Sequence, residues 1–327
     1  MFRNGALRIA DCEWWITQSD IRNPTSAIFL MRRYPSWLRK SFSPDGTARV
    51  VRGLLEDLEL VTVCEAAVCP NLRECWSQRQ LTFMILGDRC TRRCRFCAVE
   101  HGKPRPIAED EPWRLAEAVR RLGLQHVVIT AVARDDLADE GAGHFVRVME
   151  AVRQMNPGVS LEVLVPDFHA RIERIAQVMA SRPEVFAHNV ETIERLSPLV
   201  RPQAEYRRSL AVLRLARSLA SETLIKSSLM LGLGERLEEV RRTFDDLLAV
   251  GCTHLTLGQY LRPTPDHLPV LEYLSPSRFA DYERLARDAG FQWVTAGPFV
   301  RSSYHAIDAI NCADAKFIIK RASGGNG

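Results

Sequence analysis

Six of the nine cysteines lie between Cys64 and Cys97, in two groups of three. The second group reads CTRRCRFC, with Cys90, Cys94 and Cys97 at i, i+4 and i+7. Soft thiolates this closely spaced suit zinc or an iron–sulfur cluster. Structural zinc closes with four ligands, whereas a catalytic metal keeps one position open for a reactant. Three cysteines holding a four-iron cluster leave one iron free in that sense. Arg89, Arg92, Arg93 and Arg95 crowd the group. They are expected to favour thiolates, the form that binds metal, and to offset a cluster's negative charge. The first group, CEAAVCPNLREC, places Cys64, Cys69 and Cys75 in a C-x4-C-x5-C spacing, again with no fourth cysteine nearby. One composite zinc site built from both groups is the competing arrangement. Cys12, Cys252 and Cys312 are scattered and read as small hydrophobes.

The chain that must carry these groups has 327 residues, 46% of them hydrophobic. That suffices for one large domain with extensions. The net charge of +4 is mild, and Lys and Arg are spread along the chain. This reads as an ordinary solvated surface, with no nucleic-acid arm. No run of about 18 apolar residues exists, so nothing is expected to span a membrane. No secretory leader is evident, and clustered cysteines without one favour metal ligation over disulfides and a cytoplasmic location.

From residue 80 onward short apolar runs alternate with amphipathic stretches. LTFMILG (81–87), HVVITAV (126–132), SLEVLVP (160–166), VFAHNV (185–190), TLIKSSLML (223–231), HLTLGQ (254–259) and FQWVTAG (291–297) read as strands. Helices are predicted near 112–122, 142–155, 170–181, 205–220, 235–250 and 276–289. In the 235–250 stretch Leu237, Val240, Phe244, Leu247 and Leu248 form one stripe, Glu235 falls in the first turn and Gly251 ends the helix. A further helix is indicated by Val51, Leu54, Leu55 and Leu58, and PSWLRK (35–40) opens another segment. Such alternation implies right-handed βαβ units and a parallel sheet, either open and doubly wound or a partial barrel. In both, chemistry belongs at the C-terminal strand ends. The cysteines of CTRRCRFC, then Arg134, Asp135 and Asp136, then Asp167, then His188, Asn189 and Glu191, then Lys226, and finally Gln259, Tyr260 and Arg262 are thereby placed around one mouth.

C-x3-C-x2-C with Phe96 before its last cysteine, at the end of a first strand, resembles the radical S-adenosylmethionine superfamily. VCEAAVCPNLREC, TFMILGDRCTRRCRFCAV, VVITAVARDDLADEGAGHF, VFAHNVET, LMLGLGE, LTLGQYLRPT and GPFVRSSYHA narrow the resemblance to its lipoyl synthase family, from Pro35 to Ala306. The resemblance implies a partial (β/α)6 TIM-type barrel. It implies that Cys90, Cys94 and Cys97 hold a 4Fe–4S cluster whose open iron chelates S-adenosylmethionine. It implies that Cys64, Cys69 and Cys75 hold an auxiliary 4Fe–4S cluster with Ser303, the second serine of RSSY, as fourth ligand. Oxygen is a hard ligand on a soft site, so the serine is expected to leave readily and let sulfur go. The implied reaction puts sulfur on C6 and C8 of an octanoyl chain borne on a lysine. Those C–H bonds are too weakly acidic for a general base, so a 5′-deoxyadenosyl radical is required. A six-unit barrel also leaves a lateral opening suited to a protein substrate. The implied partners are octanoylated lipoyl domains of 2-oxoacid dehydrogenases or the glycine cleavage H protein, with ferredoxin or flavodoxin as electron donor. Related sulfur-inserting radical enzymes, of the biotin synthase or methylthiotransferase kind, lack RSSY. A zinc-binding interaction protein would contain no iron.

Phe96 is placed near the adenine of S-adenosylmethionine, and Asp135, Asp136, Asn189 and Glu191 among its polar contacts, with capping of the next helix as their structural alternative. Arg301 pairs with a carboxylate, gates the site, or is an ordinary surface arginine. Ser228 replaces a glycine usual in the family, which bears on the local fit, and Ala133 replaces an aspartate. Four segments follow: 1–33 without family match, Met31 being an alternative start; 34–79 with the auxiliary ligands; 80–297 as the barrel; and 298–327 with RSSY.

Overall fold

The computed structural model describes residues 34–40 and 46–310. Cys12, Trp14, Trp15, Met31 and Cys312 therefore lie outside the described residues.

After a short 3-10 turn at Ser36–Leu38 the elements are α1 (Thr47–Asp57), β1 (Val61–Thr62), α2 (Val63–Ala66), α3 (Leu72–Ser77), β2 (Thr82–Ile85), α4 (Glu111–Leu122), β3 (His126–Ala131), α5 (Ala142–Met155), β4 (Ser160–Leu164), α6 (Ile172–Ala180), β5 (Val185–Ala187), α7 (Ser197–Val200), α8 (Tyr206–Leu219), β6 (Leu224–Leu231), α9 (Leu237–Ala249), β7 (His254–Gln259), α10 (Pro276–Ala289) and β8 (Trp293–Gly297). The strands form one sheet in sequence order. β2 to β8 pair in parallel. The six strand–helix units from β2 to α10, followed by β8, are the partial barrel, and all seven parallel strands fall on the predicted runs.

The strands are buried on both faces, one packed on helices and the other turned into the barrel, where Glu162, Lys226, Ser228 and Thr256 are buried. All four residues of β2 are buried. Helix ends follow local chemistry. α4 has Pro112 in its first turn and ends at Gly123, which takes the left-handed conformation open to glycine at little cost. The 235–250 helix is corrected at its start: α9 begins at Leu237, and Glu238 and Glu239 occupy the first turn. Glu235 precedes it and accepts from the backbone N–H groups of Gly232 and Leu233.

β1 was not anticipated. It runs antiparallel to β2, pairing Val61 with Met84 and Thr62 with Phe83. The chain thus heads towards the N-terminal end of β2, and the first cysteine group follows there. Val51, Leu55, Cys64 and Trp76 join the same core as the barrel strands. Residues 299–304, which follow β8, reach the start of β2: Asn71 Nδ2 donates to the Phe299 carbonyl at 2.6 Å, and Thr82 Oγ1 to Ser303 Oγ at 2.8 Å. Gly258 in β7 permits this, since a Cβ there would meet the Val300 carbonyl oxygen at 2.1 Å. From the N-terminal side, Trp37 donates to the Leu274 carbonyl.

Candidate functional site

Cys90, Cys94 and Cys97 lie beyond the C-terminal end of β2, in a loop that folds back on itself. Cys90 bridges to His101, and the backbone N–H groups of Arg92 and Ala133 point at the Cys90 sulfur at 3.4 and 3.3 Å. The loop is anchored by charge. Arg92 is buried, makes three hydrogen bonds to Asp135 and pairs with Asp167 at 2.8 Å, and Arg208 holds the other Asp167 oxygen. Burial alone would raise the Asp167 carboxyl, but Arg92, His188 and Arg208 hold it far below the usual range. Asp135 and Asp167 thus pin the CTRRCRFC loop to the ends of β3 and β4.

Of the four arginines expected to favour thiolates, only Arg92 bears on the Cys94 thiol, and it does not prevail. Burial pushes Cys94 up to about 11, against the charge of Arg201, and Cys97 up to about 12. Arg89 faces Glu100, while Arg93 and Arg95 are exposed. These thiols keep their protons at neutral pH until a metal displaces them.

Arg201 was missed. It is buried and donates to the carbonyls of Asn189 and Val190 and to Ser209. It sits close enough to Cys94 and Glu191 to act on both. As a lone arginine in the link between α7 and α8 it had no sequence signal. Burial raises the Glu191 carboxyl although Arg201 pulls against it, and Glu191 holds a left-handed φ of 63°, a strained backbone of the kind found at functional sites. Asn189 donates to Glu191 at 3.0 Å, and its own Oδ1 is buried without a partner. Asn189 and Glu191 thus present polar capacity that this chain leaves unused. Asp136 instead pairs with Arg134, which also donates to the Leu86 carbonyl. Phe96 packs against the core. Ser228 is held within the sheet: its carbonyl accepts the Glu191 N–H at 3.0 Å, and its hydroxyl donates to the Thr256 carbonyl.

Other residues assigned to the mouth are structural. Lys226 lies near the N-terminal end of β6, fully buried, with both Glu162 oxygens at 2.9 and 3.0 Å. Gln259 ties the carbonyls of Leu231 and Glu272 together, Tyr260 bonds the Leu268 carbonyl, and Arg262 the His267 carbonyl. His188 bonds the Val165 carbonyl and Ser209, and burial lowers its pKa to about 4.

The first cysteine group occupies the other end of β2, outside the strand-end rule. Cys64, Cys69 and Cys75 line one cavity of about 220 Å³ with Thr82, Arg301, Ser303 and Tyr304. Burial raises Cys64 to about 11, opposed by a backbone hydrogen bond from Thr82. Burial and the neighbouring Cys69 and Cys64 raise Cys75 to about 12. The fully buried Trp76 Nε1 lacks a hydrogen-bond partner and acts on the Cys64 thiol. Arg301 donates to the Val300 and Gln259 carbonyls and lies near Cys69, so it is a wall of this cavity. A clasp outside holds the RSSY segment: Tyr304 donates to Glu74 at 2.9 Å, and Lys40 pairs with Glu74 beneath the Phe299 ring.

Among the described residues, the one trio of Cys, His, Asp or Glu ligand atoms within 4.8 Å of one another is Asp135, Glu140 and His169. Arg92 and Arg174 already answer its two carboxylates. Neither cysteine group brings its three sulfurs that close. A single zinc, with Zn–S of about 2.3 Å, would draw them to about 3.8 Å. The spread at both groups and the N–H donors on Cys90 fit a larger core, and count against the composite zinc site.

Residues 84–247 match the Radical SAM superfamily. The chain is 47% identical over 277 residues to the lipoyl synthase of Caldicellulosiruptor saccharolyticus, covering 85% of this chain and 97% of that one. It is 51% identical over 273 residues to the lipoyl synthase of Rubrobacter xylanophilus, covering 83% and 85%. In fold it resembles the crystal structure of an FeFe-hydrogenase maturase, with a TM-score of 0.51 at 14% identity, covering 74% of this chain and 62% of the other.

Proposed function

This chain belongs to the lipoyl synthase family of radical S-adenosylmethionine enzymes, and from that premise we propose that its two thiol sites divide one reaction between them. The reaction is the insertion of two sulfur atoms at C6 and C8 of a protein-bound octanoyl-lysine. When bound, the two 4Fe–4S clusters and S-adenosylmethionine supply the hydrogen-abstracting radical and the sulfur.

Cys90, Cys94 and Cys97 hold the cluster that meets S-adenosylmethionine. Arg92, gripped by Asp135 and Asp167, fixes their loop. Asn189 and Glu191 orient the polar part of the cofactor, and Phe96 lies against its adenine. Cys64, Cys69 and Cys75, with Ser303, hold the sulfur donor. The observation that supports this division most is the shared cavity of those four residues at the opposite end of β2 from CTRRCRFC. The strand face that carries Met84 also carries the buried Thr130, Ser228 and Thr256, so the space between the sites is lined by polar as well as apolar groups. The carriers are octanoylated lipoyl domains of 2-oxoacid dehydrogenases or the glycine cleavage H protein, and ferredoxin or flavodoxin supplies electrons. No described helix is long and apolar enough to cross a membrane, consistent with a cytoplasmic enzyme. Segments 34–79, 80–297 and 298–327 are its auxiliary-ligand, barrel and RSSY parts.

The test is anaerobic enzyme with dithionite, S-adenosylmethionine and an octanoyl-lysyl peptide from a lipoyl domain. The mass of the peptide should rise by two sulfurs less the hydrogens they replace, with about two 5′-deoxyadenosines per product, one per sulfur. A peptide that stays octanoylated while 5′-deoxyadenosine forms would overturn the assignment.

A further inference from the structure

We propose that Thr82, the first residue of β2, is a positioning residue of the auxiliary site, its hydroxyl setting how firmly Ser303 holds the cluster. The proposal rests on the reading of Ser303 as a ligand. Thr82 is 3% exposed. Its Oγ1 lies 2.8 Å from Ser303 Oγ, and its backbone is close enough to Cys64 to act on that thiol. One residue therefore bears on two of the four groups that face the cavity, one through its backbone and one through its side chain.

The direction of the hydrogen bond follows from chemistry. A serine that ligates iron has lost its proton, and its oxygen can then only accept. The Thr82 hydroxyl must donate. A hydrogen bond donated to a ligand oxygen draws off the electron density that the oxygen would give the metal, so the bond to the metal weakens. If that bond breaks, the electron pair stays on the oxygen, where the Thr82 proton is already hydrogen-bonded. Water supplies the proton that restores the serine hydroxyl, which still accepts from Thr82. A β-branched residue in a strand has few rotamers, and burial at the start of β2 fixes this one, so the donor is aimed before the cluster arrives. Nothing in LTFMI marks Thr82 as other than strand, because its partner lies 221 residues away.

The test uses full-length chain carrying Cys90→Ala, Cys94→Ala and Cys97→Ala, so that the auxiliary cluster alone is present, reconstituted anaerobically. The rate of iron release to a ferrous chelator is followed by absorbance. Thr82→Val, which keeps the shape and removes the donor, should slow release about tenfold, the scale of one hydrogen bond to a charged acceptor. Thr82→Ser should restore the original rate. With Ser303→Ala added, Thr82→Val should no longer matter, which a merely structural role would not produce. Release from Thr82→Val at an unchanged or faster rate, or failure of Thr82→Ser to restore it, overturns the proposal. If Ser303→Ala alone leaves both the release rate and the cluster spectrum unchanged, the reading of Ser303 falls, and Thr82 with it.

Discussion

The two thiol sites lie at opposite ends of the same strand and are built in opposite ways. At the mouth, ionised groups hold the loop: Arg92 between Asp135 and Asp167, Arg208 behind them, Arg201 beside Glu191. At the auxiliary cavity the contacts are mostly neutral: the Thr82 and Ser303 hydroxyls, Trp76 Nε1 and Tyr304. Arg301 and the Lys40–Glu74 pair add the charge there. A site that grips a charged cofactor turn after turn gains from fixed charges, which need no reorganisation when the ligand arrives. A site that must let go of a ligand gains from hydrogen bonds that outlast the bond they adjust. The thiols differ less than their settings, since burial raises them at both ends.

The sharpest way to break this contrast is at the mouth. Cys94→Ala should abolish 5′-deoxyadenosine formation altogether and reduce iron from about eight per chain to about four, measured by chromatography and metal analysis. Retained S-adenosylmethionine cleavage would mean that the sites are not separate. Next comes Gly258→Ala, which sets a methyl against the Val300 carbonyl and should push the 299–304 segment outward. Sulfur insertion should fall more than tenfold, as misplacement of about 1 Å commonly does, while the initial rate of 5′-deoxyadenosine formation stays near wild type.

Between the sites, Lys226 and Glu162 form a fully buried pair. Lys226→Met leaves the buried Glu162 with only His126 beside it and should cost about 3 kcal/mol in denaturant unfolding, whereas Lys226→Met with Glu162→Leu should recover most of it. The smallest effect concerns His188. Its folded pKa of about 4 lies below the ordinary 6.5, so the folded chain takes up its proton less readily than the unfolded one. The stabilisation is complete above pH 6.5 and is lost as pH falls from 6.5 towards 4, by up to about 3 kcal/mol. His188→Gln should flatten the stability profile over that window, and an unchanged slope would place the titration elsewhere.

How far the sequence revealed these two regions differs as much as their chemistry. The barrel was legible because each βαβ unit repeats the same local signals, and the predicted helices lie within about two residues of the observed ones. The mouth was partly legible, because the strand-end rule located Asp135, Asp167 and Glu191. The same rule wrongly brought Lys226 there, since it cannot tell which end of a strand a residue occupies. The auxiliary cavity was legible only through its cysteines and RSSY. A strand of two residues, Val61–Thr62, has no period to detect, yet its antiparallel pairing carries the first cysteine group to the far end of β2. Thr82, Trp76 and Glu74 act through partners distant in the chain or through burial, neither of which leaves a local mark.

The most direct measurement of the division of labour is a paired one on Cys69→Ala, reconstituted without oxygen: 5′-deoxyadenosine by chromatography and the octanoyl-lysyl peptide by mass spectrometry, from the same reaction. The account predicts that S-adenosylmethionine is still cleaved and that no sulfur reaches the peptide. A peptide that gains sulfur in this variant would contradict it.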